Sequence, residues 1–237
     1  MYTLADTCDA LNKLLRIILL ASAPVATSAC TATTQSVIGV AEASQASQSG
    51  AHSNPYGEIN DNGTIIPAVD TSKIDPRYLR QIVDYQTDEP VGTIIVDPQN
   101  RFLYLVMEGG KAMRYGVGVA KAGLEFEGQA DILRKAAWPG WVPTPDMIKR
   151  EPERYGPYAK GLDGGLHNPL GARALYLYKD GKDTLYRIHG TNEPWSIGKP
   201  VSSGCIRLLN HDIIDLYNRI PKGARVVVLG ANQKGES

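Results

Sequence analysis

The feature that most constrains this chain is a series of short β-branched and aromatic runs, each closed by a turn signal, starting near residue 91. Residues 91–96 are rich in Val and Ile, Asp97-Pro98-Gln99-Asn100 reads as a turn, and residues 102–107 are again apolar. Gly109-Gly110 then leads into residues 111–119. Stiff β-branched side chains suit a pleated surface, and connections this short join antiparallel strands but not parallel ones. Two of them in succession predict an antiparallel meander. Further strands are expected at 129–135, 174–179, 185–189 and 225–229, with Gly181-Lys182-Asp183 as a third hairpin turn. Helices are few: a lead-in helix around 76–85, within a segment reaching residue 90, a short one at 145–150, and an amphipathic one at 210–220. The last carries Ile213, Ile214, Leu216 and Tyr217 as its apolar positions, with Asn210 placed to cap it and Pro221 to stop it. Residues 138–171 form a long stretch rich in Pro, Gly, Tyr and Trp, expected to act as a lid or binding wall. The expected fold is mainly β, a sandwich or barrel with a few short helices, over residues 91–230, followed by a tail at 231–237.

The front of the chain has a different character. Lys13 and Arg16 precede and open an apolar stretch that gives way to small residues, the three-part pattern of an export signal over residues 1–29. It is too short for a membrane span. Thr27-Ser28-Ala29-Cys30 has the small-small-Cys ending of a lipoprotein box, with Thr27 where such boxes carry Leu. Either Cys30 is lipidated and tethers the protein to a membrane, or a signal peptidase cuts after Ala23, Ser28 or Ala29. Cys8 falls in the removed part. Residues 30–75 begin as a run of Ser, Ala, Thr and Gln and are expected to be a flexible linker, because such a stretch buries too little apolar surface to offset its ordering entropy. Lys and Arg together number 25, as do Asp and Glu, so the chain is formally neutral. Neutrality argues against a nucleic-acid partner, since phosphate binding needs a basic surplus.

Three scattered cysteines give no disulfide framework and no Cys-x-x-Cys pair. Cys205 stands apart. It lies in Val201-Ser202-Ser203-Gly204-Cys205-Ile206-Arg207-Leu208, a tight polar turn before the last helix. A lone cysteine is commonly a small buried hydrophobe. Here Ser202-Ser203-Gly204 can aim successive backbone N–H groups at a developing oxyanion. A thiol with a pKa near ~8.5 is mostly protonated at neutral pH, so a nucleophilic Cys205 needs a base, usually a histidine in an imidazolium–thiolate pair. His189 is the candidate: it ends the strand at 185–189, and the loop after it is long enough to bring Cys205 alongside. His52 lies in the linker, His211 is expected to be a solvated first-turn residue, and His167 is either a turn residue or part of the site wall. No two histidines have metal-ligand spacing. Gly116-Val117-Gly118 lacks the third glycine of a dinucleotide fingerprint.

Taken together, His189-Gly190-Thr191, the fifteen residues separating His189 from Cys205, and Ser202-Ser203-Gly204-Cys205-Ile206-Arg207-Leu208 resemble the L,D-transpeptidase (YkuD-like) catalytic domain. Gly128-Gln129-Ala130-Asp131-Ile132, Trp138-Pro139, Pro143-Thr144-Pro145 and Asn168-Pro169-Leu170-Gly171 extend the likeness over about 91–230. Ser203 departs from the pattern, since many members carry His there. The resemblance implies a peptidoglycan enzyme of the periplasm or cell envelope that needs no cofactor. Cys205 would take an acyl group from a tetrapeptide stem with release of D-Ala, and pass it to an amine of another stem in a 3→3 cross-link. His189 would be the base. Gly204 with Cys205 would form the oxyanion site, while Ser203, Gly190 and Arg207 would line the substrate. Arg207 would orient the donor or hold a structural ion pair. The acceptor is equally an envelope-protein amine or water, and a non-catalytic wall-binding module is the alternative from another class.

Overall fold

The computed structural model describes residues 54–122, 124 and 126–230. The expected export signal, Cys8, Cys30, His52, the first part of the linker and the tail at 231–237 lie outside them. In chain order the strands are β1 (Ile59–Asp61), β2 (Thr64–Ile66), β3 (Gln81–Asp84), β4 (Ile94–Asp97), β5 (Phe102–Met107), β6 (Lys111–Gly116), β7 (Val119–Ala120) and β8 (Gly128–Ala137). Short helices α1 (Pro145–Arg150) and α2 (Pro152–Tyr155) follow, then β9 (Arg173–Lys179), β10 (Lys182–His189), β11 (Pro200–Ser202) and β12 (Ile206–Arg207). Helix α3 (Asn210–Arg219) and β13 (Arg225–Val228) close the domain. The mainly β expectation holds, and no helix among the described residues is long and apolar enough to cross a membrane.

Nine strands form one mixed sheet in the order β12-β10-β9-β8-β13-β4-β5-β6-β3. The expected meander is β4-β5-β6, antiparallel throughout, whereas β13 joins β4 and β12 joins β10 in parallel. Side chains alternate between the two faces of a strand. Ile94, Val96, Leu103, Leu105, Met113 and Tyr115 therefore enter one core, shared with Leu175, Leu177, Val226 and the α3 residues Ile213 and Leu216. Their neighbours Ile95, Phe102, Tyr104, Val106 and Ala112 form a second core with Tyr85. Burial on both faces explains why these strands read as continuous apolar runs rather than as alternating ones.

Three expectations need correction here. The lead-in helix is replaced by a 3-10 turn at Pro76–Tyr78 and the edge strand β3, because Gln81 through Asp84 pair with Arg114 through Lys111 of β6. Pairing with an open sheet edge outweighs a weak local helix preference. The linker expectation fails over residues 54–75, which are anchored by buried Tyr56, Ile66 and Ile74. Tyr56 Oη donates to Asp212 at 3.4 Å and accepts from the Arg80 N–H at 2.6 Å. Asp61 holds Arg173 through two bonds of 2.7 Å and accepts from Trp138 Nε1 at 2.8 Å. Polar residues with few apolar ones read as linker, yet these few are enough because they meet charged partners far along the chain. Third, Asn210 does not cap α3, whose N-cap is Leu209; the Asn210 side chain accepts from Ala172 N–H at 2.9 Å instead.

Candidate active site

The site is built by the parallel pairing of β10 with β12, in which Ile188 stands opposite Ile206 and His189 opposite Arg207. Both isoleucines are in the core. Alternation then sends His189, Arg207, Arg187 and Cys205 to the opposite face. There a cavity of about 500 Å³ is lined by His189, Ser203, Gly204, Cys205, Arg207 and Tyr155, among others. The two residues selected as nucleophile and base thus open into one space, Cys205 as a free thiol.

His189 is 4% exposed, and its Nδ1 lies 2.5 Å from the Gly190 carbonyl oxygen. A carbonyl only accepts, so Nδ1 carries the proton and Nε2 is left with the basic lone pair. Burial pushes the imidazole pKa down to about 3, the Arg207 and Arg187 charges add to this, and the Gly190 carbonyl opposes it. Burial pushes the Cys205 thiol up, against the pull of the Arg187 backbone N–H and the two arginine charges. Both shifts favour neutral forms. Neither shift favours the imidazolium–thiolate pair expected from sequence.

The turn around Cys205 is held by its own serines. Ser202 Oγ donates to the Cys205 carbonyl at 2.5 Å and accepts a long 3.3 Å bond from the Gly204 N–H. Gly204 has φ +143°, and a Cβ there would stand 3.2 Å from the Tyr186 ring. Ser203 Oγ shares a 2.9 Å hydrogen bond with Tyr155 Oη, tying α2 in the lid stretch to this turn. Of the two roles considered for Arg207, the ion pair is present: Nη1 meets Glu193 Oε2 at 2.6 Å while the side chain borders the cavity.

Other expected residues fall elsewhere. Gly190 does not border the cavity; it is a packing glycine whose Cβ would come within 2.3 Å of Asn210 Oδ1. Gly171, at φ +63°, faces the same oxygen, where a Cβ would lie 2.2 Å away. Two glycines from two motifs therefore make room for one Asn210 side chain beside β10. His167 borders the cavity, and its carbonyl accepts from Asn192 Nδ2 at 2.9 Å. His211 is a correction: it is 3% exposed, not solvated, and its Nε2 lies 2.6 Å from the Gly57 carbonyl. The segment at 54–79, read as linker or helix, is what covers it. Sequence reasoning missed Glu193, Arg187 and Tyr155. The alternation of β10 would have found Arg187, two residues before His189, whereas Tyr155 and Glu193 lie on irregular segments without periodicity.

The described residues thus bring a free cysteine and a buried histidine to one cavity on one face of a mixed sheet. Residues 92–228 match the family model of YkuD, the L,D-transpeptidase catalytic domain, and the chain belongs to that family. It is 32% identical over 140 residues to the probable L,D-transpeptidase ErfK/SrfK of Escherichia coli K12, covering 58% of this chain and 44% of the relative. It is 33% identical over 137 residues to the probable L,D-transpeptidase YbiS of the same organism, covering 57% and 43%. The chain thus spans less than half the length of these relatives. A crystal structure from Brucella melitensis, described as a probable carnitine operon oxidoreductase, is 51% identical with a TM-score of 0.45, covering 68% of this chain and 99% of that one.

Proposed function

We propose that the protein is a peptidoglycan L,D-transpeptidase with Cys205 as nucleophile and His189 as its base. The observation that carries this reading is that both side chains open into one cavity while His189 Nδ1 is held by the Gly190 carbonyl. His189 Nε2 takes the thiol proton as Cys205 Sγ attacks the carbonyl joining diaminopimelate to the terminal D-Ala of a tetrapeptide stem. The proton passes to the leaving D-Ala amine, and a thioester remains. An amine of a second stem then attacks the thioester, giving up a proton through His189 to the departing Cys205 sulfur and completing a 3→3 cross-link. The N–H groups of Gly204 and Cys205 hold the oxyanion, with Gly204 leaving its long bond to Ser202. Arg207, fixed by Glu193, presents a positive edge to the donor.

An envelope-protein amine or water resolves the same thioester equally well in chemical terms, so the acceptor is set by what reaches the cavity. We further propose export to the periplasm through residues 1–29, ending either in a plain signal cut or in lipidation of Cys30 as a tether. Metabolic palmitate labelling that is lost in Cys30→Ser would support the tether, and label retained in that variant would refute it. Incubation of the purified protein with tetrapeptide muropeptides should release D-Ala, and Cys205→Ala should abolish release. Binding without release would favour a wall-binding module instead. A carbapenem, whose strained lactam is open to thiol attack, should add its mass to wild type but not to Cys205→Ala.

A further inference from the structure

Five described residues other than glycine have a positive φ, and Leu185, at +65°, is the one inside a strand. Asn62 and Asp180 sit in hairpin turns, where short polar side chains accommodate this conformation. Arg101 and Trp138 lie just outside the ends of β5 and β8. A branched side chain is strained in the left-handed region, where glycine or asparagine would sit with less strain. Leu185 is also 64% exposed, so neither backbone conformation nor burial accounts for an isobutyl group here.

The distortion is a β-bulge: the register between β10 and β9 shifts between Asp183 and Arg187. Neighbouring side chains hold it firmly. The Leu185 N–H donates to Asp183 Oδ1 at 2.8 Å, and the same carboxylate receives Arg187 through bonds of 2.7 and 2.9 Å. Thr184 Oγ1 accepts from the Tyr186 N–H at 3.2 Å and donates to the Leu177 carbonyl at 2.7 Å. None of these bonds uses the Leu185 side chain. What the bulge does achieve is to place that side chain on the wall of the active-site cavity, where Met147 and Trp141 add apolar surface. Bulges beside active sites re-aim side chains, and strain that a structure takes care to retain is concentrated where it serves function.

Leu185 lies beyond Arg187, which is itself two regular strand steps, roughly 7 Å at about 3.3 Å per residue, from His189. A group it touches is therefore remote from the scissile carbonyl. We propose that Leu185 is a specificity-determining residue for the donor, packing against an aliphatic group of the bound stem peptide far from the bond that is cleaved. This rests on the reading of the site as a transpeptidase. Contact made equally in ground and transition states lowers KM and leaves kcat nearly unchanged.

The test uses the full chain with Leu185→Asn, which suits the left-handed conformation and keeps the size of the side chain while removing its apolar character, and Leu185→Met, which keeps the apolar character. Two quantities are read: D-Ala release from a tetrapeptide muropeptide, and Kd of that muropeptide measured on a Cys205→Ala background. Leu185→Asn should raise KM and Kd by about tenfold with kcat within about twofold of wild type and an unchanged or higher melting temperature. Leu185→Met should stay within about threefold of wild type in both. KM and Kd within about twofold of wild type in the Asn variant would overturn the proposal, as would weakened binding shared by Leu185→Met together with a lower melting temperature. If wild type releases no D-Ala, the transpeptidase reading falls while Kd still decides the role of Leu185. Absence of both release and binding in wild type would overturn both.

Discussion

His189 and Arg207 are register partners on the parallel strands β10 and β12, and this pairing carries Cys205, two residues before Arg207, to the face of the sheet that His189 occupies. Burial shifts both groups towards their neutral forms, and in the proposed mechanism the thiol gains nucleophilicity only when its proton is drawn to Nε2 during attack. Alkylation of Cys205 by iodoacetamide should therefore be slow and nearly flat from pH 5 to about 8, rising only as the thiol itself ionises. A plateau of fast alkylation in the mildly acidic range would reveal a resting ion pair.

Arg207 helps hold the imidazole pKa down, and Glu193 is its partner at 2.6 Å. Replacing Arg207 by Gln removes the positive charge and leaves the carboxylate, so His189 should protonate at higher pH. The acidic limb of the kcat profile for D-Ala release should then move upward in pH. Arg207→Lys, which keeps the charge, should move it far less.

Gly190 has no room for a side chain, because its Cβ would overlap Asn210 Oδ1. Gly190→Ala is expected to lower stability by about 1–3 kcal/mol in urea unfolding, in the range for overpacked sites. It should also reduce activity beyond the stability loss, since the carbonyl that fixes His189 Nδ1 belongs to the displaced residue.

The segment at 54–79 is part of the fold through the pair of Asp61 with Arg173, whose side chains are 12% and 9% exposed. Breaking a pair this buried leaves an uncompensated guanidinium, so Asp61→Ala should cost about 3 kcal/mol. A loss below about 0.5 kcal/mol would mean that the segment is an ornament on the domain.

Asp212 is fully buried, and burial raises its pKa to about 7 although Arg80, 3.8 Å away, opposes this. A carboxyl whose folded pKa lies above its unfolded value is most favourable when protonated. Its contribution is present in full below about pH 4 and is lost as pH rises towards 7. His189 and His211, shifted downward, work in the opposite sense, because the unfolded chain binds their protons first as pH falls through 6.5. Comparing wild type with Asp212→Asn isolates the first effect: the stability of wild type relative to the variant should increase from pH 7 to pH 4. A pH-independent difference would place the Asp212 pKa near its ordinary value.

The strands of the meander are legible from β-branched runs between turns, and the approach of Cys205 and His189 to one cavity from a polar turn and a connecting loop long enough to fold back. What escaped were contacts between distant segments. Tyr56 and Asp61 sit in polar sequence, and their structural role comes from partners far along the chain, Asp212 and Arg173 among them, more than a hundred residues later. The side chain of Asn210 stands at the first turn of a helix, where capping is the local expectation. It was drawn instead to the Ala172 N–H, through a gap left by Gly171 and Gly190. For Gly190 the resemblance implies a place on the substrate, whereas a Cβ there would point at Asn210, Ala172 and Ile213 and the residue does not border the cavity.

The most direct test of the central claim is intact-mass measurement of the protein quenched in acid shortly after mixing with a tetrapeptide muropeptide. The expected result is an added mass equal to the muropeptide less D-Ala, located on Cys205, removable by hydroxylamine and absent in Cys205→Ala. An unchanged mass at all times, with the muropeptide bound and no D-Ala released, would contradict the assignment of Cys205 as the acyl carrier.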